Sequence, residues 1–405
     1  AESPSPDSQT VDFRPARVKE LAGVEVELAE MKRILDVLGF TQDGTDTQMT
    51  VSVPTWRNDI VGEACLVEEV VRVHGYDKLP MTPMPRLSDL PEPALSPEQR
   101  RRSDVRRALA GRGLTEAVTL SFLPSDQAVL FGGGADELKL VNPISSDLDS
   151  MRPSALPNLI AAAGRNADKG MDSSPLFEIG PQFSDDTPAG QMMAACGIRS
   201  GKSGRRNWSM PPRPVDVFDA KADALAALSA AGVPVEKLQV VAESAPWYHP
   251  GRSGCLQLGP KNLLARFGEV HPGVLAKMDV DGPVAAFEVY LDNLPKPKAK
   301  KGSTRKLVEL PAFHPVGRDF AFVVDEAISA SAVIAAAMSA DKTLIRDVNV
   351  FDVFAGGNLG DGKKSLAVSV ALQPTDQTLT DAEIEAVSSN IVAAVEKATG
   401  GTLRS

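Results

Sequence analysis

At 405 residues the chain exceeds one ordinary domain, so two to four domains are expected. Apolar residues make up 43% and charged residues 24%, the balance of a soluble globular protein, and no apolar run approaches the roughly 18 residues of a membrane span. The net charge of −10 removes any general attraction to nucleic acid, so a contact of that kind must be local.

The first ten residues, AESPSPDSQT, have neither a basic n-region nor an apolar h-region and read as a polar tail, not a signal peptide. Cys65, Cys196 and Cys255 are odd in number and far apart. They suggest no disulfide framework and no zinc site, and they suit a reducing, cytoplasmic location. His74, His249, His271 and His314 are equally scattered.

Residues 11–80 form the first predicted module. Val18 to Leu21 read as a short helix start or a turn, which Gly23 breaks. Over 27–38 the residues Leu28, Met31, Ile34, Leu35 and Leu38 recur at helical spacing, with Gly39 at C′. A polar loop over 42–48 leads to a strand at 51–53, stopped by Pro54. Asp59 precedes a second helix over 62–74, ended by Gly75. Leu66, Val70 and Val73 are its expected buried face. Cys65, Glu68 and Glu69 share another face, near the helix start and near Asp59. These carboxylates admit two uses. One is a solvated acidic face favoured by the helix dipole, with Glu68 paired to Arg72 at i+4. The other is a set of oxygen ligands for a hard divalent cation. Helix, strand and helix at this size suggest a helix-turn-helix-like module, and the acidic second helix favours packing over nucleic-acid binding.

Residues 81–97 are proline-rich and aperiodic, a linker. The domain expected over 98–295 opens with a helix carrying Arg100, Arg101, Arg102, Arg106 and Arg107, the most basic patch of the chain, which suits phosphate, solvent or a neighbouring subunit. A β-rich run follows at 114–123. Strands are predicted at 138–141, 176–179, 192–198, 256–258, 265–269 and 284–289, with helices at 156–166 and 217–231. This is an α+β domain on a largely antiparallel sheet. Gly132, Gly133 and Gly134 lack a following Lys-Ser/Thr pair and read as a turn. Glu269 and His271 flank Val270 and suit either acid–base work or a strand-end turn.

Residues 296–306, KPKAKKGSTRK, are a basic linker. The domain expected over 307–405 has strands at 319–325, 345–354, 364–372 and 402–404 and helices at 329–340 and 381–398. The order βαββαβ is the split, ferredoxin-like unit. It carries 7 Lys+Arg against 13 Asp+Glu, so it is no generic RNA binder. Phe351 and Phe354 are expected in its core; exposed, they would suit base stacking.

Taken in order, several motifs resemble one family. They are PTWRNDI with EEVVRVHGYDKLP in 54–80, NPISSDLDSMRPSALPNLI at 142–160, LFEIG at 176–180, YHPGRSG at 248–254 and FGEVHPGVL at 267–275. FHPVGRDFAFVVDE at 313–326, VFDVF at 350–354, GKKSLAVSVALQ at 362–373 and LTDAEI at 379–384 complete the set. Together they are similar to the C-terminal half of the bacterial phenylalanyl-tRNA synthetase beta subunit. The resemblance implies an α+β multidomain chain: a helix-turn-helix-like module, a class II synthetase-like antiparallel-sheet domain without catalytic residues, and a ferredoxin-fold anticodon-binding domain.

The same resemblance implies an aminoacyl-tRNA synthetase, a phenylalanine-tRNA ligase of α2β2 form. ATP and phenylalanine would bind the alpha subunit. This chain would supply assembly and contacts to the phenylalanine tRNA, would be inactive alone, and would be a fragment lacking the family's N-terminal RNA-binding and editing modules. Self-association through the middle sheet is a further expectation. A magnesium site shared with the alpha subunit is also implied. Asp59, Glu68 and Glu69 match three of its four carboxylate positions; the fourth holds Cys65, a poor magnesium ligand. Two other readings stand beside this one: a stand-alone nucleic-acid-binding protein, and an independent metal-dependent enzyme using Asp59, Glu68 and Glu69.

Overall fold

The computed structural model describes residues 9–85, 93–204, 207–295, 307–308 and 310–404. The polar tail up to residue 8, positions 86–92 of the proline-rich linker and the basic linker 296–306 therefore lie outside the described residues. The chain divides into two compact units, Ala1–Pro295 and Lys296–Ser405. Among the described residues no helix is long and apolar enough to cross a membrane.

The first unit begins with β1 (Thr10–Phe13), α1 (Ala16–Ala22), α2 (Leu28–Val37), β2 (Thr41–Gly44), β3 (Met49–Ser52) and α3 (Glu63–His74). The strands form an antiparallel sheet in the order β1-β3-β2. Phe13, Ile34, Leu35, Phe40, Met49, Val51 and Leu66 fill the core against it. The predicted helices form where their apolar stripes lie. The helix-turn-helix-like description is incomplete, because β1 and β2 add a sheet. β2 reads Thr-Gln-Asp-Gly, an exposed edge without the apolar alternation that marks a strand in sequence. α3 buries Leu66, Val67, Val70 and Val71, while Val73, in the last turn, is 41% exposed.

Next come α4 (Pro97–Gly111), β4 (Thr115–Glu116), β5 (Phe122–Leu123), α5 (Ser125–Leu130), β6 (Ser150–Met151), α6 (Leu156–Ala167), β7 (Leu176–Phe183) and β8 (Gln191–Ser200). α7 (Val217–Ala230), β9 (Gln239–Val241), β10 (Tyr248–Gln257), β11 (Leu263–Val270), α8 (Pro272–Lys277) and β12 (Val284–Tyr290) complete the unit. A seven-stranded sheet runs β4-β7-β8-β12-β11-β10-β9. It is antiparallel throughout except for the parallel β4–β7 pair.

Both faces of this sheet are covered. Ala195, Ala285, Phe287 and Val289 meet α4 and α7 through Val105, Leu109, Ala224 and Leu228. The alternate residues Ala194, Cys196, Ile198, Ala286 and Tyr290 meet α6 through Leu156, Leu159 and Ile160. Two buried faces explain why β12 is buried at every position. Gly197 is required at the centre: a Cβ there would lie 2.5 Å from the Phe287 ring of the paired strand.

Two expectations fail in this unit. The run at 114–123 is two separate two-residue strands in different sheets, with Val118 and Leu120 exposed between them. Residues 138–141 are not a strand: Asp136–Leu138 is a 3-10 turn, only Lys139 bridges to Ser150, and Val141 is exposed.

The second unit contains β13 (Val316–Asp325), α9 (Ala330–Ser339), β14 (Ile345–Ala355), β15 (Lys363–Leu372), α10 (Asp381–Thr399) and β16 (Thr402–Leu403). Its antiparallel sheet runs β14-β15-β13-β16. The predicted βαββαβ order is therefore present. α10 starts with a capping box in which Thr380 Oγ1 accepts from the Glu383 N–H and Glu383 accepts from the Thr380 N–H. Val333, Ile384, Ile391 and Val395 of the helices pack on Phe320, Phe322, Leu366, Val368 and Val370.

Candidate functional site

Three places gather polar, charged or aromatic side chains that could do chemistry. The first is the start of α3. Arg57, in the turn after Pro54, reaches both flanking carboxylates. Its Nε and Nη2 donate to Asp59 Oδ1 and Oδ2 at 2.8 and 2.6 Å, and its Nη1 donates to Glu69 Oε2 at 2.9 Å. Arg72 Nη2 adds a bond to the same Glu69 oxygen at 2.8 Å. The expected Glu68–Arg72 pair does not form; Arg72 takes the buried Glu69 at i−3 instead, and Glu68 is exposed. Hydrogen bonding to Arg57 holds Asp59 down to about 2 and also lowers Glu69. Cys65 packs against the module's core.

The structure thus brings Asp59 and Glu69 together through a guanidinium. The donors suit magnesium in kind, being oxygens, but not in arrangement. Both Asp59 oxygens and both Glu69 oxygens face N–H groups. Among the described residues no set of three or more His, Cys, Asp or Glu side chains is disposed to hold a metal ion.

The second place is the α6 side of the seven-stranded sheet. Glu288 is buried and accepts from Ser154 Oγ at 2.7 Å and from Trp247 Nε1 and Tyr248 Oη at 3.2 Å each. Burial pushes its carboxyl up. Beside it Arg152, 1% exposed, donates to Glu178 at 2.8 Å, Thr119 at 3.0 Å and the Pro181 carbonyl at 2.9 Å. Gln182 Nε2 donates to Cys196 Sγ at 3.0 Å. These polar groups satisfy one another inside a packed layer. Sequence reading missed them because nothing in their spacing sets them apart from ordinary surface residues. Glu269 and His271 prove structural: Glu269 pairs with Arg252 at 2.6 Å, and His271 Nδ1 caps α8 by accepting from the Gly273 N–H. Of the arginines of α4, Arg101, Arg106 and Arg107 are tied to the Pro295 carbonyl, Glu116 and Asp104.

The third place is the face of the four-stranded sheet turned away from α9 and α10. Alternation with the buried Phe320, Phe322, Leu366, Val368 and Val370 sends Ala321, Val323, Ala367, Ser369 and Ala371 to that side, all partly exposed. Phe351 and Phe354 are 56% and 44% exposed, against the expectation that they belong to the core. A bulge between Val350 and Asp352 takes Phe351 out of the pairing. Arg404, whose N–H bonds to the Ala321 carbonyl, lies 5.6 Å over the Phe354 ring. Small residues, an aromatic ring and a guanidinium thus line one open sheet face.

Comparison with known proteins gives three family matches in chain order. They are the tRNA synthetase B5 domain over residues 11–76, the phenylalanyl tRNA synthetase beta chain CLM domain over 82–291 and the ferredoxin-fold anticodon binding domain over 311–404. Among curated relatives, the phenylalanine–tRNA ligase beta subunit of Paramagnetospirillum magneticum is 56% identical over 400 residues, 98% of this chain and 50% of that protein. That of Rhodospirillum rubrum is 55% identical over 399 residues, with the same shares. That of Bradyrhizobium diazoefficiens is 51% identical over 402 residues, again 98% and 50%. The chain spans about half the length of these relatives. A pyrrolysyl tRNA synthetase structure from Desulfitobacterium hafniense aligns over 47% of this chain and 65% of its own, at TM-score 0.36 and 16% identity.

Proposed function

The chain belongs to the phenylalanyl tRNA synthetase beta chain family, and from that premise we propose that it works as the C-terminal part of the non-catalytic subunit of a phenylalanine–tRNA ligase. In this reading a separate alpha subunit uses ATP to activate phenylalanine, and this chain provides assembly and tRNA contact. The observation that carries it is the ordered run of three family matches from residue 11 to 404 within relatives of 51–56% identity.

The domain assignment follows the same run: a beta-subunit module over 11–80, a class II synthetase-like domain over 98–295 and the anticodon-binding domain over 307–405. The chemistry of the second domain supports a non-catalytic role. Its buried polar groups, Arg152, Glu178, Ser154, Glu288, Trp247 and Tyr248, are spent on one another. They hold a layer together and present no paired donors to an incoming adenylate. The open sheet face of the last domain suits unstacked anticodon bases. Phe351 and Phe354 offer ring faces, the small residues leave room for a flat base, and Arg404 supplies a cation beside them. The exposed Val118, Leu120, Val141 and Ile144 of the middle domain are the surface we assign to a subunit contact, with the alpha subunit or a second beta chain.

The test is assembly followed by charging. The chain is mixed with the alpha subunit of a close relative, and mass and phenylalanine attachment to tRNA are measured. An α2β2 complex that charges tRNA, when neither chain does so alone, is the expected result. Absence of any complex would overturn the subunit reading.

A further inference from the structure

Two of the three carboxylates that the family resemblance offers to magnesium, Asp59 and Glu69, are already bridged by an arginine. We propose that Arg57 is the resident cation of this cluster and joins the loop before α3 to the helix without a divalent metal. Arg57 makes three N–H···O bonds to two carboxylates that stand ten positions apart in the chain, Asp59 in the loop and Glu69 on α3. Bridging a loop to a helix is the task a metal would have. The planar fork of a guanidinium suits it, since it binds one carboxylate through two parallel bonds and keeps a further N–H for another.

Charge balance points the same way. Arg57 and Arg72 contribute +2 and Asp59 and Glu69 −2, so the four groups in contact are neutral without an ion. Adding the exposed Glu68 makes the set −1, and a magnesium ion would then carry it to +1. To bind, the ion would have to remove all three Arg57 bonds and accept Arg72 as a neighbour. It would also lack the oxygen ligand that Cys65 replaces. Glu69 is only 6% exposed, so its charge needs a close partner in any state of the protein. The packing of Arg57 agrees: its guanidinium also lies 5.8 Å from the Phe40 ring centroid, on the module's own core.

The experiment uses the 405-residue chain, its Arg57→Met and Arg57→Lys variants, and two readouts. Calorimetric melting is compared in millimolar magnesium and in chelator, and manganese binding is followed by electron paramagnetic resonance. The native chain is expected to melt at the same temperature in both buffers and to show no saturable manganese binding in the low-millimolar range. Arg57→Met should melt several degrees lower in chelator, with Arg57→Lys between the two. A fall in the native melting temperature on chelation would overturn the proposal. So would saturable manganese binding to the native chain that Glu69→Gln abolishes, or an Arg57→Met variant as stable as the native chain. The chelation and manganese measurements on the native chain decide the matter even if a variant fails to fold.

Discussion

Arg152 is among the largest side chains buried completely in this molecule, and its three partners are Glu178 and the Pro181 carbonyl of β7 and Thr119 from the stretch between β4 and β5. Arg152→Met keeps most of the volume and removes the charge, which leaves Glu178 buried with only the Thr119 hydroxyl, 2.6 Å away. Breaking one side of a buried pair costs about 3–5 kcal/mol, so the urea midpoint of this variant should fall by a matching amount while circular dichroism at zero denaturant stays native. The Arg57 cluster makes a prediction in pH. Asp59 and Glu69 sit below their ordinary values in the folded chain because Arg57 binds their charged forms. Groups of that kind stabilise the fold fully above the unfolded carboxylate range, about pH 4, and lose that contribution as pH falls toward 2. The gap in urea midpoint between the native chain and Arg57→Met should therefore be constant near neutrality and shrink on acidification below about pH 4. A gap that stays constant down to the acid limit would mean that Arg57 acts by packing, not by charge.

Among elements, β14 makes the sharpest functional claim. Phe354 and Arg404 touch each other on an open face and little of the core depends on them. On the proposed anticodon contact, Phe354→Ala and Arg404→Ala should each weaken binding of the phenylalanine tRNA, by about 1–3 kcal/mol for a lost stacked base, with melting almost unchanged. Equal binding by both variants in a filter assay would remove this face from the tRNA contact. The same strand marks the limit of what periodicity conveys. α2 and α3 and the whole βαββαβ order were legible, since apolar stripes, Gly39, Gly75 and Thr380 announce them locally. The exposure of Phe351 and Phe354 was not. Unbroken alternation from Val348 and Val350, which pack toward the core, would turn Phe354 inward as well; the bulge before Asp352 reverses its side and leaves Phe351 outside the pairing. Residues 138–141 failed for the complementary reason: a tetrapeptide with three apolar residues is a strand only where a partner strand is long enough to meet it, and here bridging stops at Lys139.

At the scale of the whole molecule, an acidic chain keeps many of its arginines in internal pairs. Arg14 binds Glu63, Arg112 and Arg199 share the buried Asp223, and Arg213 binds Asp219. Net charge therefore says little about where a polyanion could settle, and the local composition of each surface says more. The ordered motifs made the family legible from residues alone. They identified Asp59, Glu68 and Glu69 as a set, but what stands among those side chains depends on the path of the loop that carries Arg57, which no spacing encodes. The bulge in β14 has one more consequence, for how copies of this protein meet. β14 is an outer strand of its sheet, and among the described residues no strand pairs with its outer edge. An uninterrupted outer strand of that length invites another chain to extend the sheet. With Phe351 out of register that edge is discontinuous, so an incoming strand matched to Val348 is out of step by Val353. The irregularity that takes Phe351 out of the pairing is thus of the kind that hinders edge-to-edge association.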